Sequence, residues 1–287
     1  MKFKLKQISP TVQIHSWGGL GSQLHALALH LYLSRKYTNR DFLIYFHSSG
    51  VTQRFPESEI YKLDIKTKFI DDYFISQNSG TIGNDSKYKT RLRGLIIQFL
   101  DRWGFSIRPN DLEEVVIRPW TFEIRGHYSK MKFPLPTYQL MATMLILYDQ
   151  IELQSQLAIH VRAGDLLELV DKNMTPISDL MNISQSEGFR NSRIVVFTES
   201  TNWLAKQLAA YSLRAKPKIL GPEVAPLSLM RQCISAKQFI GTNSKLSLWI
   251  SVFRILRGQH QTAIPGTLRL HFEALCPEGV KQKPVYY

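Results

Sequence analysis

Ala158-Ile159-His160-Val161-Arg162-Ala163-Gly164-Asp165 is the stretch that decides the fold. With Leu157 before it, the apolar run reads as a strand buried on both faces of a parallel sheet, and it delivers His160, Arg162 and Asp165 as it ends. Open parallel sheets bind ligands outside the carboxyl ends of their strands, so polar groups at such an end are where chemistry is expected. A guanidinium there suits phosphate oxygens, because its planar fork donates two parallel charge-assisted hydrogen bonds. The same residues would also serve as an Arg–Asp pair closing a surface turn, and spacing alone leaves the two readings level.

Downstream the pattern alternates. Helical spacing over 178–187 precedes the buried strand Ser192-Arg193-Ile194-Val195-Val196-Phe197, which runs into Thr198-Glu199-Ser200. A helix over 202–210, a short strand Lys218-Ile219-Leu220, a helix over 226–233, a strand over 237–241 and a helix over 244–256 follow. Strands alternating with helices predict a parallel sheet covered on both faces. In such a sheet His160/Arg162/Asp165, Thr198/Glu199/Ser200 and Thr242/Asn243/Ser244 collect at one edge. The last group opens a helix, where hydroxyls and N–H groups suit phosphate, and equally reads as a plain N-cap. Glu199 reads as an acceptor for a ribose or base, or as a solvated carboxylate at a helix start.

Upstream the same logic recurs. A strand over 11–15, the loop Trp17-Gly18-Gly19-Leu20-Gly21, a helix over 22–37 with Leu24, Leu27, Ala28 and Leu31 at helical spacing, and a strand over 41–46 make one β-loop-α-β unit. The glycines permit close backbone approach to an anion, but the loop lacks a full dinucleotide or P-loop pattern, and alone it reads as a tight turn. From 50 to 136 the pattern blurs. Residues 63–74 are mixed, 77–86 read as loop, and 91–103 read as a helix with a basic face. Asp71-Asp72 reads as a solvated pair with no His or third acid near it in sequence. Met131-Lys132-Phe133-Pro134-Leu135-Pro136 breaks the chain before a helix over 137–150. The expected organisation is therefore α/β, with two Rossmann-like domains, 1–136 and 137–287, facing a cleft.

The chain has 287 residues, 44% hydrophobic and 11% aromatic, which is ordinary globular composition and excludes a disordered or fibrous chain. Its two cysteines, Cys233 and Cys276, lie far apart, so no disulfide framework is expected and a reducing compartment is. The formal charge of +13 attracts polyphosphates, anionic membranes and phosphorylated small molecules alike. No zinc-finger, RNP or basic-zipper pattern accompanies it, so no nucleic-acid partner is expected. No segment reaches the ~20 apolar residues of a membrane span, and residues 1–10 do not resemble a leader. The expected location is cytoplasmic, with the basic surface able to hold the chain peripherally at an anionic inner membrane.

Three blocks resemble glycosyltransferase family 11, the α-1,2-fucosyltransferases, within the wider group of GDP-fucose-dependent fucosyltransferases. Gly18-Gly19-Leu20-Gly21-Ser22-Gln23-Leu24 is similar to the family's GGLGNQ. His160-Val161-Arg162-Ala163-Gly164-Asp165 is similar to its H-I/V-R-R-G-D, and Phe197-Thr198-Glu199-Ser200-Thr201-Asn202-Trp203 to its F-S-D-D-x-x-W. The segments 227–233 and 239–249 are similar to L-x-L-M-S-x-C and I-I-A-N-S-S-F-S-W-W. Order and spacing agree along nearly the whole chain.

The resemblance implies a GT-B fold and an inverting, metal-independent transfer with no cofactor beyond the nucleotide-sugar donor, GDP-fucose. It implies an oligosaccharide or polysaccharide acceptor and a donor site in the C-terminal domain. Arg162 would hold the donor β-phosphate, and His160, Asp165 and Glu199 would shape the same pocket. Asn243 and Ser244 would meet the pyrophosphate, while Gly18, Gly19 and Gly21 approach across the cleft with Gln23 at the rim. Arg162 and Asp165 are the catalytic pair expected, with Glu168 and His15 as alternative bases for the acceptor hydroxyl. Three departures bear on the donor: Ala163 replaces the family's second Arg, Glu199-Ser200 its paired acids, and Ser22 its first Asn. A transferase using another nucleotide sugar is thus a second reading, and a non-enzymatic binder of nucleic acid or anionic glycan a distant third.

Overall fold

In the computed structural model the chain divides into two contact units, Met1–Phe133 and Pro134–Tyr287. The structure describes residues 11–49, 53, 55–72, 95–96, 98–108, 114–126, 128, 130–148, 156–167, 174–190, 193–211 and 216–287. The boundary falls before Pro134 and not after Pro136, because Pro134 is already the N-cap of the next helix, with Leu135 and Pro136 in its first turn.

The first unit is built on β1 (Val12–Trp17), flanked by β2 (Phe42–His47) on one side and β5 (Glu123–Arg125) on the other. With β3 (Thr67–Ile70) and β4 (Ser106–Ile107) the order is β3-β2-β1-β5-β4, and every pairing is parallel. In β2 the even positions Phe42, Ile44 and Phe46 are buried and the odd positions half-buried, the period of two that a pleated strand imposes. The crossover helix α1 (Leu20–Lys36) has Leu24, Leu27, Leu29 and Leu33 at zero exposure. Each such leucine contributes roughly 1.5–3 kcal/mol of burial. The helix starts at Leu20, two residues before the expected start, because Gly18 turns the chain at φ +100° and Gly19 is already the N-cap. A single turn α2 (Ser58–Tyr61) follows β2. The loop expected over 77–86 and the basic segment 87–93 lie outside the described residues; 95–96 and 98–102 are helical.

The second unit opens with α3 (Leu135–Met144), shorter than the helix expected over 137–150. Ile146 turns at φ 51°, and the Arg231 guanidinium donates to the Leu145 carbonyl from Nε at 2.9 Å and Nη2 at 2.7 Å. That contact satisfies a carbonyl the helix would otherwise leave open. Next come β6 (Leu157–Val161), a 3-10 turn Gly164–Leu167 and α4 (Ile177–Gln185). The chain continues through β7 (Ile194–Thr198), α5 (Thr201–Leu208), β8 (Lys218–Leu220), α6 (Pro226–Ser235) and β9 (Gln238–Gly241). It ends with α7 (Lys245–Leu256), β10 (Thr262–Ile264), α8 (Arg269–Leu275) and β11 (Val285–Tyr286). The sheet order is β11-β10-β9-β6-β7-β8, again all parallel.

Helix α7 supplies much of this unit's core through Leu248, Trp249, Ile250, Val252, Phe253 and Ile255, all buried. Arg254, on the same helix, is fully buried as well. Its guanidinium donates to the carbonyls of Cys233, Ile234, Ala236, Lys237 and Gln261 and to Thr262 Oγ1, at 2.6–3.2 Å. The charge thus sits on carbonyls at the C-terminal end of α6, where a cation is favoured. Tyr138 ties α3 to α8 by donating to the Leu275 carbonyl.

Candidate functional site

Read from its edge, the second sheet runs β8-β7-β6-β9-β10-β11: successive strands step one way from β6, and the chain then returns to β6's other side. The switch falls between β6 and β9, and the crevice outside the carboxyl ends of the strands at such a switch is where open α/β sheets take ligands. The register aligns Val161 with Thr198 and His160 with Gly241. Arg162, Glu199 and Thr242 therefore leave the sheet at one edge, as the alternating pattern predicts.

The three strand ends are knitted together from within. Arg162 N–H donates to Thr242 Oγ1 at 2.9 Å. His160 is buried, with Nδ1 2.7 Å from Ser247 Oγ, and Thr242 N–H donates to the same hydroxyl at 3.1 Å. Ser244 is the N-cap of α7, its Oγ accepting from Ser247 N–H at 3.0 Å. Asn243 N–H donates to Thr175 Oγ1 at 3.0 Å. The expectation that this turn offers its hydroxyls and N–H groups to phosphate is therefore revised. The Thr242 and Asn243 amides and the Ser244 hydroxyl hold the turn in shape.

His160 is neutral: burial, then the Arg162 charge, hold its pKa down to about 4. It supports the edge from beneath. Glu199 is exposed, yet its carboxylate rests on the turn after β6, since a Cβ built on Gly164 would meet Glu199 Oε2 at 2.0 Å. The Gly of the His160–Asp165 block is what permits that approach. Ala163 has no exposure at all. Asp165 lies in the 3-10 turn; the structure does not describe its side chain, and Glu168 lies outside the described residues.

Sequence reading missed Ser247, on which His160, Thr242 and Ser244 converge, and Lys245, which follows the cap. Lys245 is half-buried, and burial followed by the Arg162 charge lowers its pKa to about 8. The signal for both was a strand end, Gly241-Thr242, running into a Ser-capped helix.

In the first unit Gly18 and Gly19 form the turn into α1, and Gly21 is buried in the helix's first turn. Gln23, expected at a rim, is instead 3% exposed. Its Nε2 donates to the Phe55 carbonyl at 2.9 Å and its Oε1 accepts from Glu57 N–H at 2.8 Å, so it staples the segment before α2. Asp72, read as solvated and without a histidine near it, has His47 Nδ1 at 2.8 Å. A carboxylate only accepts, so His47 carries its proton on Nδ1 and takes the His15 Nδ1–H at 2.8 Å on Nε2. His15 Nε2 is then the lone-pair nitrogen, with Glu123 Oε2 at 3.8 Å. Burial, then Arg125 and His47, lower the His15 pKa to about 3. Burial raises the Asp72 carboxyl, but the His47 and Ser49 hydrogen bonds outweigh it and the net direction is down.

Among the described residues no group of three or more His, Cys, Asp or Glu is placed to hold a metal ion. No described helix is long and apolar enough to cross a membrane.

No family model matches the chain, and no curated protein matches it. Among solved structures it is similar to a glycosyl transferase family 9 protein from Veillonella parvula DSM 2008. The identity is 9%, over 89% of this chain and 80% of that one, with a TM-score of 0.39. A likeness at that level carries no functional argument, so function has to come from the chain's own residues.

Proposed function

We propose that the protein is an inverting glycosyltransferase that moves a 6-deoxyhexose, L-fucose from GDP-fucose, in α-1,2 linkage onto an oligosaccharide or polysaccharide acceptor. The observation that carries the reading is Arg162 at the switch point of a parallel sheet, among motif blocks in the order that resembles family 11. Its guanidinium binds the donor diphosphate and stabilises the charge that develops as the C1–O bond breaks. His160 and Ser247 fix the strand edge, Asn243 and the start of α7 meet the diphosphate, and Glu199 lies at the ribose or base. Asp165 takes the proton of the attacking hydroxyl. No metal or cofactor enters the proposed step.

Calorimetric titration of the whole chain with GDP, UDP and dTDP tests the donor. GDP binding that Arg162→Ala abolishes, with the circular dichroism unchanged, supports the reading. Binding of UDP or dTDP in preference to GDP moves the assignment to another nucleotide sugar, the alternative that Ala163 and Glu199-Ser200 favour. Retained turnover in Arg162→Ala removes Arg162 from the mechanism.

A further inference from the structure

The alanine at 163 leaves Arg162 without the arginine neighbour that the family motif carries, and Ala163 is wholly buried. A diphosphate leaving group brings more negative charge than one guanidinium matches. The structure supplies another cation at the same edge. The Arg162 amide is fixed to Thr242 Oγ1 at 2.9 Å, and three residues beyond Thr242 the chain begins α7 at Lys245, directly after the Ser244 cap.

We propose that Lys245 is the second phosphate-binding cation of this site, taking the place in space that Ala163 vacates in sequence. The inference rests on the donor-site reading above and deepens it. Arg162 directly follows β6 and Lys245 opens α7 after β9, so both come from the two strands between which the switch point falls. The positive end of α7 adds to the same field. Like charges repel, so Arg162 lowers the affinity of Lys245 for its proton, and a bound dianion at the same edge offsets that repulsion.

The charge state of Lys245 answers to its surroundings. Arg162, directly after β6, is the charged neighbour that, after burial, lowers its pKa to about 8. His160 beneath the edge is neutral at pH 7. Glu199, following β7, rests on Gly164 in the turn after β6 that also contains Asp165. Lysine at this position is therefore cationic at pH 7 and loses its proton by pH 9, unless an anion holds it.

The test uses inorganic pyrophosphate as probe and the full chain, by calorimetric titration at pH 7 and pH 9. Lys245→Met keeps most of the side-chain length without the charge and is expected to weaken pyrophosphate about tenfold at pH 7. Lys245→Arg is expected to restore the affinity. Because a group of pKa about 8 is some nine-tenths deprotonated at pH 9 and the uncharged form binds about tenfold more weakly, wild-type affinity should fall about fivefold relative to Lys245→Arg between the two pH values. The comparison with the Arg variant cancels the titration of pyrophosphate itself. A purely structural lysine would not produce that pH difference. Wild-type binding in Lys245→Met, with binding lost in Arg162→Ala, overturns the role of Lys245 and leaves the donor site standing. Absence of pyrophosphate and GDP binding in the wild-type chain overturns both.

Discussion

At Gly241 an added Cβ would lie 2.7 Å from Ser247 Cβ, 2.9 Å from Ser247 Oγ and 3.0 Å from Phe239 Cε1. Ser247 cannot retreat without releasing His160 and leaving the Thr242 amide to the His160 carbonyl alone. Gly241→Ala is therefore expected to cost ~1–3 kcal/mol, read as a lowered urea midpoint. Gly19 is the contrasting case, since nothing lies within 4 Å of a Cβ there and its φ is −75°. Gly19→Ala should leave stability within ~1 kcal/mol. If the loop meets the donor, the same change weakens GDP; unchanged GDP affinity takes Gly19 out of the donor site. Two glycines of one resembling motif set thus separate by physics into a packing position and a candidate contact position.

The second unit was legible as far as α7, most plainly in β6 and β7, which are continuous apolar runs, whereas β10, α8 and β11 are too short to stand out in the sequence. Leu157–Val161 coincides with β6, and every residue of that strand is buried. The first unit's later strands were not legible. β3 (Thr-Lys-Phe-Ile), β4 (Ser-Ile) and β5 (Glu-Ile-Arg) are short and partly charged, and they exist because long-range parallel pairing supplies their hydrogen bonds. On β5, Arg125 Nε pairs with Glu123 Oε2 at 2.9 Å, so a polar face passes for loop in the sequence. The site was legible in its strand ends and opaque in its wiring, because the contact of His160 with Ser247 spans 87 residues. Ser247→Ala would strand a buried imidazole nitrogen, while the Thr242 amide keeps its second acceptor, the His160 carbonyl at 3.2 Å; the expected cost is ~1–3 kcal/mol, above the ~1 kcal/mol for the cap residue in Ser244→Ala. Equal losses in a denaturation series would assign the turn's rigidity to the cap alone.

At the scale of the whole molecule, buried neutral histidines make the fold sensitive to mild acid. His15 and His160 are lowered to about 3 and about 4, and burial lowers His30 as well. Below pH ~6.5 the unfolded chain binds protons that the folded chain refuses, so their contribution is present above pH 6.5 and is lost as pH falls toward the folded values. By pH 5 the expected loss is about 2 kcal/mol for each of His15 and His160. His160→Gln should flatten the fall in urea midpoint between pH 7 and pH 5; an unchanged slope would mean His160 is accessible to protons.

The strand orders also set a schedule for synthesis. In each unit the central strand, β1 or β6, is made first, and its neighbour on one side, β2 or β7, follows in the chain. The opposite edge of β1 has to wait for Glu123–Arg125, and that of β6 for Gln238–Gly241. A ribosome adding about 5–20 residues per second leaves each of these apolar edges unpaired for several seconds. An unpaired apolar edge is a template for another strand. The central strands of the two units are thus the ones exposed to mispairing while the protein is being made, which places any chaperone requirement at β1 and β6.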